Sequence, residues 1–382
     1  MSNIHHSICS VIPPHVLRKV AERADDEVLR QRAEATLDAM HALALQRERR
    51  LIGTVPTKVG TRKRRNIYDA RHRQELPGKL VRAEGQPRGA DIEVNEAYDG
   101  SGATYDFFYR LFGRRSIDDR GMRLDSSVHF GSRFDNAMWN GRQMIYGDGD
   151  GRLFNRFTSS LDVIGHELTH GVTQNTAGLG YQGQNGALNE HISDAFGIMV
   201  KQYTLGQTAA ESDWLIGAAL LGPMVHGKAV RSMAAPGTAY DDPILGRDPQ
   251  PAHMRDYNHS SVDNGGVHIN SGIPNHAFYL AAMAIGGNVW EVLGAVWYVA
   301  VTSRLTSDAQ FHDFAYATAA AAAALFGAGG RAYRAVKEAW GEVGVPLSKV
   351  IAGETPARRA ARPALRWRRR PALTTALETV NK

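Results

Sequence analysis

Apolar positions Val16, Leu17, Val20, Ala24, Val28 and Leu29 follow Pro13 and Pro14 at helix-like spacing. A second set, Leu37, Met40, Leu43 and Leu45, carries the pattern to a polar run at 46–50. Residues 1–50 therefore read as a small helical segment. The next stretch, "GTVPTKVGTRKRRN", has no periodicity, and its Gly, Pro, Lys and Arg content suits an exposed linker or processing site. From about 66 to 157, short apolar runs alternate with "DG", "NG" and "YGDGDG" turns, which predicts β-rich structure with loops. Helical patterns take over after 158. Thr158 or Ser159 is expected to cap a helix running through 174, where "NTAGLG" stops it. Further helices are expected over 187–204, 275–286, 289–304, 310–326 and 331–340. The chain shows no internal repeat and no coiled-coil heptad.

At 382 residues the chain is long enough for two domains, and its 43% hydrophobic content is ordinary for a globular protein. No apolar run reaches the roughly 18 residues that a membrane helix needs. The stretch "MSNIHHSICSVIPPHVLRKV" lacks a basic leader followed by an apolar core, so no Sec signal peptide is expected. The net charge of +6 is uneven: seven arginines and Lys382 against Glu378 put +7 on residues 356–382 and leave the body near neutral. That tail could meet an acidic surface, but a disordered basic extension is the expectation, and nucleic acid is not an expected partner. Cys9 is the single cysteine, so there is no internal disulfide. A metal site would have to be built from His and carboxylates.

The stretch "DVIGHELTHGVTQN" supplies the first of these. His166 and His170 are four apart on the expected helix and can present their imidazoles to one ion. Glu167, one residue further round, can reach a metal-bound water, as a zinc hydrolase requires: the ion lowers the pKa of its water and a carboxylate takes the proton. A catalytic zinc wants a third protein ligand and one open position. Glu190 in "ALNEHISDAF" can complete a His2Glu set, with Asn189 and Asp194 accepting the remaining imidazole N–H groups. A solvated acidic helix face fits poorly with the surrounding Ala187, Leu188, Ile192, Ala195 and Phe196. Peptide hydrolysis also needs donors to an oxyanion. Candidates are Tyr181, between the two helices, and His268 in the glycine-rich "DNGGVHINSGIPN", with Asp263 able to hold its imidazole as a donor.

These motifs, with "DNAMWNGRQMIYGDGDG" and "VRSM", resemble the thermolysin family of neutral zinc metallopeptidases over about residues 65–345. The short N-terminal segment with "IPPH" is similar to the protealysin-type subgroup. The resemblance implies an α+β, two-domain zincin fold, with the HELTH helix at the cleft between a β-rich N-terminal domain and a helical C-terminal one. The expected divisions are 1–55 as a short propeptide, 56–178 and 179–350 as the two domains, and 351–382 as the tail. It implies one zinc ion on His166, His170 and Glu190, Glu167 as base and proton shuttle, and Tyr181 and His268 as transition-state donors with Asp263 behind His268. Asn136 and the Ala137 backbone would hold the substrate main chain, and Arg231 a substrate carbonyl while pairing with Asp194. Phe154, Phe157, Val163, Ile216 and Val230 would line an apolar S1′ pocket, implying cleavage on the N-terminal side of hydrophobic residues.

The family commonly binds a calcium pair through acidic residues that fall here at 162, 201, 213, 215 and 218. Asp162 and Asp213 remain, but Lys201, Leu215 and Ala218 do not supply the oxygens, so the double calcium site is expected to be absent. Residues 1 to 50–60 would be a propeptide acting as an intramolecular inhibitor. Cys9, four residues before Pro13, is then a candidate zymogen switch, because a thiolate is a strong zinc ligand. Expected partners are peptide and protein substrates and the propeptide itself, with no membrane. The resemblance favours secretion by a non-Sec route, with the cytoplasm as the alternative. The competing reading is a catalytically idle zincin scaffold that binds a partner or nucleic acid through its basic tail.

Overall fold

The computed structural model describes residues 9–50, 60 and 62–347. The expectations for the basic tail, and for most of the linker after residue 50, lie outside the described residues. Six strands form one mixed sheet: β1 (Cys9–Ser10), β2 (Arg65–Asp69), β3 (Lys79–Ala83), β4 (Leu124–Val128), β5 (Ala137–Trp139) and β6 (Met144–Tyr146). Their spatial order is β1-β5-β6-β4-β2-β3. The N-terminal segment thus supplies an edge strand, with Cys9 opposite Trp139 and Ser10 opposite Met138 in antiparallel register. Two helices follow it, α1 (Pro14–Arg23) and α2 (Glu27–Arg50). Val16, Leu17, Val20, Leu29, Met40 and Leu43 bury against the body, whereas Val28 and Leu45, from the same apolar pattern, are exposed. Arg32 of α2 pairs with buried Asp135, and Thr36 Oγ1 donates to the Arg133 carbonyl.

The region expected to be β-rich also contains a helix, α3 (Ile92–Phe112), started by Asp91, whose carboxylate accepts from the Glu93 and Val94 N–H groups. Its glycines disguise it in the sequence. A Cβ at Gly100 would stand 2.4 Å from Ile164 Cδ1, and one at Gly102 would stand 2.2 Å from the Arg65 guanidinium. Gly100 and Gly102 serve close packing, which outweighs the roughly 1 kcal/mol of helix propensity each gives up.

Two long helices then cross: α4 (Leu161–Gln174) and α5 (Gly183–Leu205). Neither Thr158 nor Ser159 caps α4. They lie in a 3-10 turn, and Ser160 stands at the N-cap, with its hydroxyl turned to Asp162 rather than to a free N–H. A Cβ on Gly165 would lie 3.1 Å from the Gly197 Cα, and one on Gly197 would lie 2.4 Å from the Asp162 carbonyl oxygen. Only glycines allow the two backbones this approach, which draws the side chains of α4 and α5 together. The remaining helices are α6 (Val262–Asn270), α7 (Gly272–Ile285), α8 (Val289–Ser303), α9 (Phe311–Phe326) and α10 (Arg331–Glu342). They close an apolar core around Trp297, Phe278, Phe314 and Trp340. The His268 segment is not an irregular loop. Asp263, Asn264, Gly265 and Gly266 form a left-handed turn with φ between 52° and 79°, and His268 stands in the helical turn that follows.

Candidate active site and metal centre

α4 presents His166, Glu167 and His170, and α5 answers with Glu190 and Asp194; all are buried. His166 Nδ1 donates to Asp194 Oδ1 at 2.8 Å, and His170 Nδ1 donates to Asn189 Oδ1 at 2.9 Å with Ser193 Oγ also 3.0 Å away. Both rings therefore direct the lone pair of Nε2 into the site. These two atoms are 3.0 Å apart, and Glu190 oxygens lie 3.5 Å from one and 3.4 Å from the other. Glu190 Oε2 and Glu167 Oε1 are buried without a hydrogen-bond partner. Two imidazole lone pairs beside these unpartnered carboxylate oxygens call for a cation. The separations match the edges, about 3.3 Å, of a tetrahedron with ligands 2.0–2.1 Å from zinc. The donor set fits a zinc ion.

Trp139 N–H donates to Glu167 Oε2 at 2.8 Å, fixing the carboxylate beside the histidines. Burial and the Glu190 charge push Glu167 up to about 8, against the pull of the His166 ring and the Trp139 N–H. Asp194 carries more than His166. Arg231 grips it with Nε at 2.9 Å and Nη2 at 2.8 Å, and Asn275 Nδ2 donates to Oδ2 at 2.8 Å. Asn275 was not among the sequence candidates; its only signal is its place in "SGIPN". Burial opposes ionisation of Asp194, but Arg231 and His166 hold it well below the carboxylate range.

Tyr181 and His268 meet on the other side of Glu190. The Tyr181 hydroxyl donates to Glu190 Oε1 at 2.5 Å and lies 3.2 Å from His268 Nε2. His268 Nδ1 donates to Asp263 Oδ1 at 2.7 Å, and its backbone N–H donates to Oδ2 of the same carboxylate at 2.8 Å, the bond for which the left-handed turn is needed. Burial disfavours a charged His268 ring, but Asp263 and Glu190 outweigh it and the pKa is raised.

The cleft is filled by the chain's own N-terminal segment, running as an extended peptide. His268 Nε2 donates to the Ser10 carbonyl at 3.1 Å, and Arg231 Nη1 to the Val11 carbonyl at 3.2 Å. Val11 N–H donates to the Ala137 carbonyl at 3.2 Å. Asn136 closes a two-way pair with Ile12: Oδ1 accepts its N–H at 3.0 Å and Nδ2 donates to its carbonyl at 2.9 Å. Val11 is fully buried, within the same continuous apolar core as Phe154, Phe157, Val163, Ile216 and Val230. Cys9 is buried, and its sulfur, a His170 ring nitrogen and a Glu190 oxygen lie within 4.8 Å of one another. Sequence reasoning pointed to Cys9 but missed Ser10, Val11 and Ile12, because a two-residue strand leaves no periodic signal.

Lys201, about three turns beyond Glu190 along the same face of α5, binds where the acidic residues would converge. Its Nζ donates to both Asp213 oxygens at 2.9 Å and to the Leu215 carbonyl at 3.2 Å, and it lies 3.5 Å from Asp162 Oδ2.

A buried His2Glu metal centre with a second carboxylate, Glu167, in a cleft that binds a peptide by its main chain, defines a metallopeptidase. The chain belongs to the thermolysin metallopeptidase family: residues 53–174 match its catalytic domain and 177–345 its alpha-helical domain. It is 52% identical to the "Extracellular metalloprotease" of Pectobacterium carotovorum subsp. carotovorum over 89% of this chain and 97% of that protein. It is 43% identical to "Protease PrtS" of a Photorhabdus species over 89% of this chain and 92% of that one. Among solved structures, the protealysin precursor from Serratia proteamaculans is similar with a TM-score of 0.81 and 50% identity, covering 88% of this chain and 99% of that one.

Proposed function

We propose that the protein is a zinc-dependent neutral endopeptidase made as a self-processing zymogen, with residues 1–55 as propeptide, 56–178 and 179–350 as the two halves of the enzyme, and 351–382 as an appended tail. The observation that carries this reading is the peptide Ser10–Ile12, whose main-chain groups are held by His268, Arg231, Ala137 and Asn136 beside the His2Glu cluster. A substrate follows the same path, with the residue in the place of Val11 entering the apolar pocket. Cleavage then falls on the N-terminal side of a hydrophobic residue.

Zinc, when bound by His166, His170 and Glu190, supplies Lewis acidity to a water and to the scissile carbonyl. Glu167 takes the water's proton and returns it to the leaving nitrogen. Tyr181 and His268 donate to the oxygen that gains charge, and Asp263 keeps His268 a donor. Asn189 and Asp194 hold the two ligand rings, and Arg231 serves both Asp194 and the substrate carbonyl.

In the precursor the segment from Cys9 to Ile12 blocks this path, and the Cys9 thiol takes the position that water needs. Lys201 stands in for the cation of the calcium pair, which this chain lacks. The relative named extracellular supports export by a non-Sec route, with residence in the cytoplasm as the alternative; among the described residues no helix is long and apolar enough to cross a membrane. The deciding experiment incubates purified precursor with zinc and sequences the new N-termini. Processing that proceeds equally in Glu167→Ala would overturn the reading. Unchanged latency in Cys9→Ala would remove the thiol from it.

A further inference from the structure

A second cluster of metal-binding side chains lies where two parallel strands end. β2 and β4 run side by side with Asp69 opposite Val128. Just past their ends, His72 and His129 both take left-handed backbone conformations, φ 58° and 54°. The His72 N–H donates to the His129 carbonyl at 2.8 Å, and the two rings stand edge to face with centroids 5.6 Å apart. Left-handed backbone is uncommon outside glycine, and here it occurs at two paired histidines. It turns both rings toward Asp148, in the loop after β6, and His129 also toward Glu93, in the first turn of α3.

The geometry at His129 repeats that of the histidines in the active-site cluster. Its Nε2 donates to Asp91 Oδ2 at 3.0 Å, the outer carboxylate that fixes a ligand histidine. Its Nδ1 then faces Asp148 Oδ1 at 2.9 Å and Glu93 Oε2 at 3.5 Å. His72 Nδ1 lies 3.2 Å from the second Asp148 oxygen. Glu93 Oε2 is buried and accepts no hydrogen bond, and the residue as a whole is 9% exposed. Among the described residues no lysine or arginine pairs with Asp91, Glu93 or Asp148; their only ion-pair partners are the two histidines. One ring nitrogen and the Glu93 and Asp148 carboxylates already have ligand atoms within 4.8 Å of one another. The separations of 2.9 to 3.5 Å are those of neighbouring ligands around a divalent ion at about 2.0–2.2 Å.

We propose that His129, Glu93, Asp148 and His72 form a second divalent metal site, with Asp91 orienting His129. Two imidazoles and two carboxylates select an ion of borderline softness such as zinc, rather than calcium or magnesium. The site joins β2, β4, α3 and the loop after β6, so its ion staples the sheet to the first helix that packs on it. It requires no change in the active-site cluster.

The test counts zinc per chain in the purified full-length protein after dialysis against zinc buffers, by mass spectrometry of the metal. The wild type should hold one more zinc than His129→Ala or the near-isosteric Glu93→Gln. Asp91→Asn should keep the site with affinity lowered roughly 10- to 100-fold, the usual effect of removing an orienting carboxylate. Peptidase activity of Glu93→Gln at saturating zinc should match that of the wild type. Equal zinc content in wild type, His129→Ala and Glu93→Gln overturns the proposal: His129 is then an imidazolium held by three carboxylates and nothing more.

Discussion

His268 Nε2 donates to the carbonyl of Ser10, a residue 258 positions earlier in the chain, at 3.1 Å. One residue on, Arg231 takes the Val11 carbonyl at 3.2 Å. The N-terminal segment thus meets groups proposed to bind substrate, and Val11 supplies its buried anchor. Val11→Asp would put a carboxylate into an apolar pocket, at a cost of several kcal/mol. The uncleaved variant should hydrolyse a small peptide substrate about tenfold faster or more, without the wild type's lag. An unaltered lag would show that latency does not depend on this contact.

Glu167→Gln keeps the shape of the side chain but loses the base. It should retain the active-site zinc and lose roughly 10²- to 10⁴-fold in kcat, the usual contribution of a positioned base. Metal content and casein hydrolysis, measured on the same preparation, check both halves. Appreciable activity in a zinc-loaded sample would remove Glu167 from the role.

Arg231 is the strong counter-charge of Asp194, itself buried and bonded to His166. Arg231→Met strands that carboxylate and should cost about 3–5 kcal/mol, the range for breaking a buried pair. Thermal unfolding should shift down by several degrees, while KM for peptides rises. A variant that melts like the wild type would show that Asn275 and His166 suffice for Asp194.

Lys201 places a fixed cation among Asp162, Asp213 and the Leu215 carbonyl. Asp162 keeps Ser160 Oγ and the Val163 and Gly217 N–H groups, so Lys201→Met should cost only about 1–3 kcal/mol. For the wild type at constant zinc, melting curves with and without millimolar calcium should superimpose. A rise in Tm on adding calcium would reveal a calcium site that the lysine does not replace.

How much of this was legible in the sequence depended on what each residue has to do. His166, Glu167, His170 and Glu190 are spelled out because side chains at helical spacing must point at one centre. The structure brings them together as that spacing requires. The helices after 187 follow from apolar periodicity and start or end within a few residues of expectation. α3 was hidden because Gly100 and Gly102, which read as turn residues, are fixed by the approach of Ile164 and Arg65. The His268 turn was hidden for a related reason. Four left-handed residues in a row bring Asp263 under the ring, and no pattern of polarity records a dihedral angle. The Ser10–Ile12 contacts engage main-chain atoms, which are the same in every sequence.

On the proposed zymogen reading, those main-chain contacts also bear on how the precursor would stay shut. None of the polar bonds to Ser10, Val11 and Ile12 is beyond the reach of any other extended peptide. The segment's advantage over such competitors comes from attachment: α1 and α2, anchored through Arg32 and Asp135, hold it at an effective concentration that free peptides do not reach. On that reading, a cut in the chain between α2 and β2 would leave the same contacts to compete at bulk concentration. An inhibitor that outmatches every rival by proximity would then become one weak ligand among many.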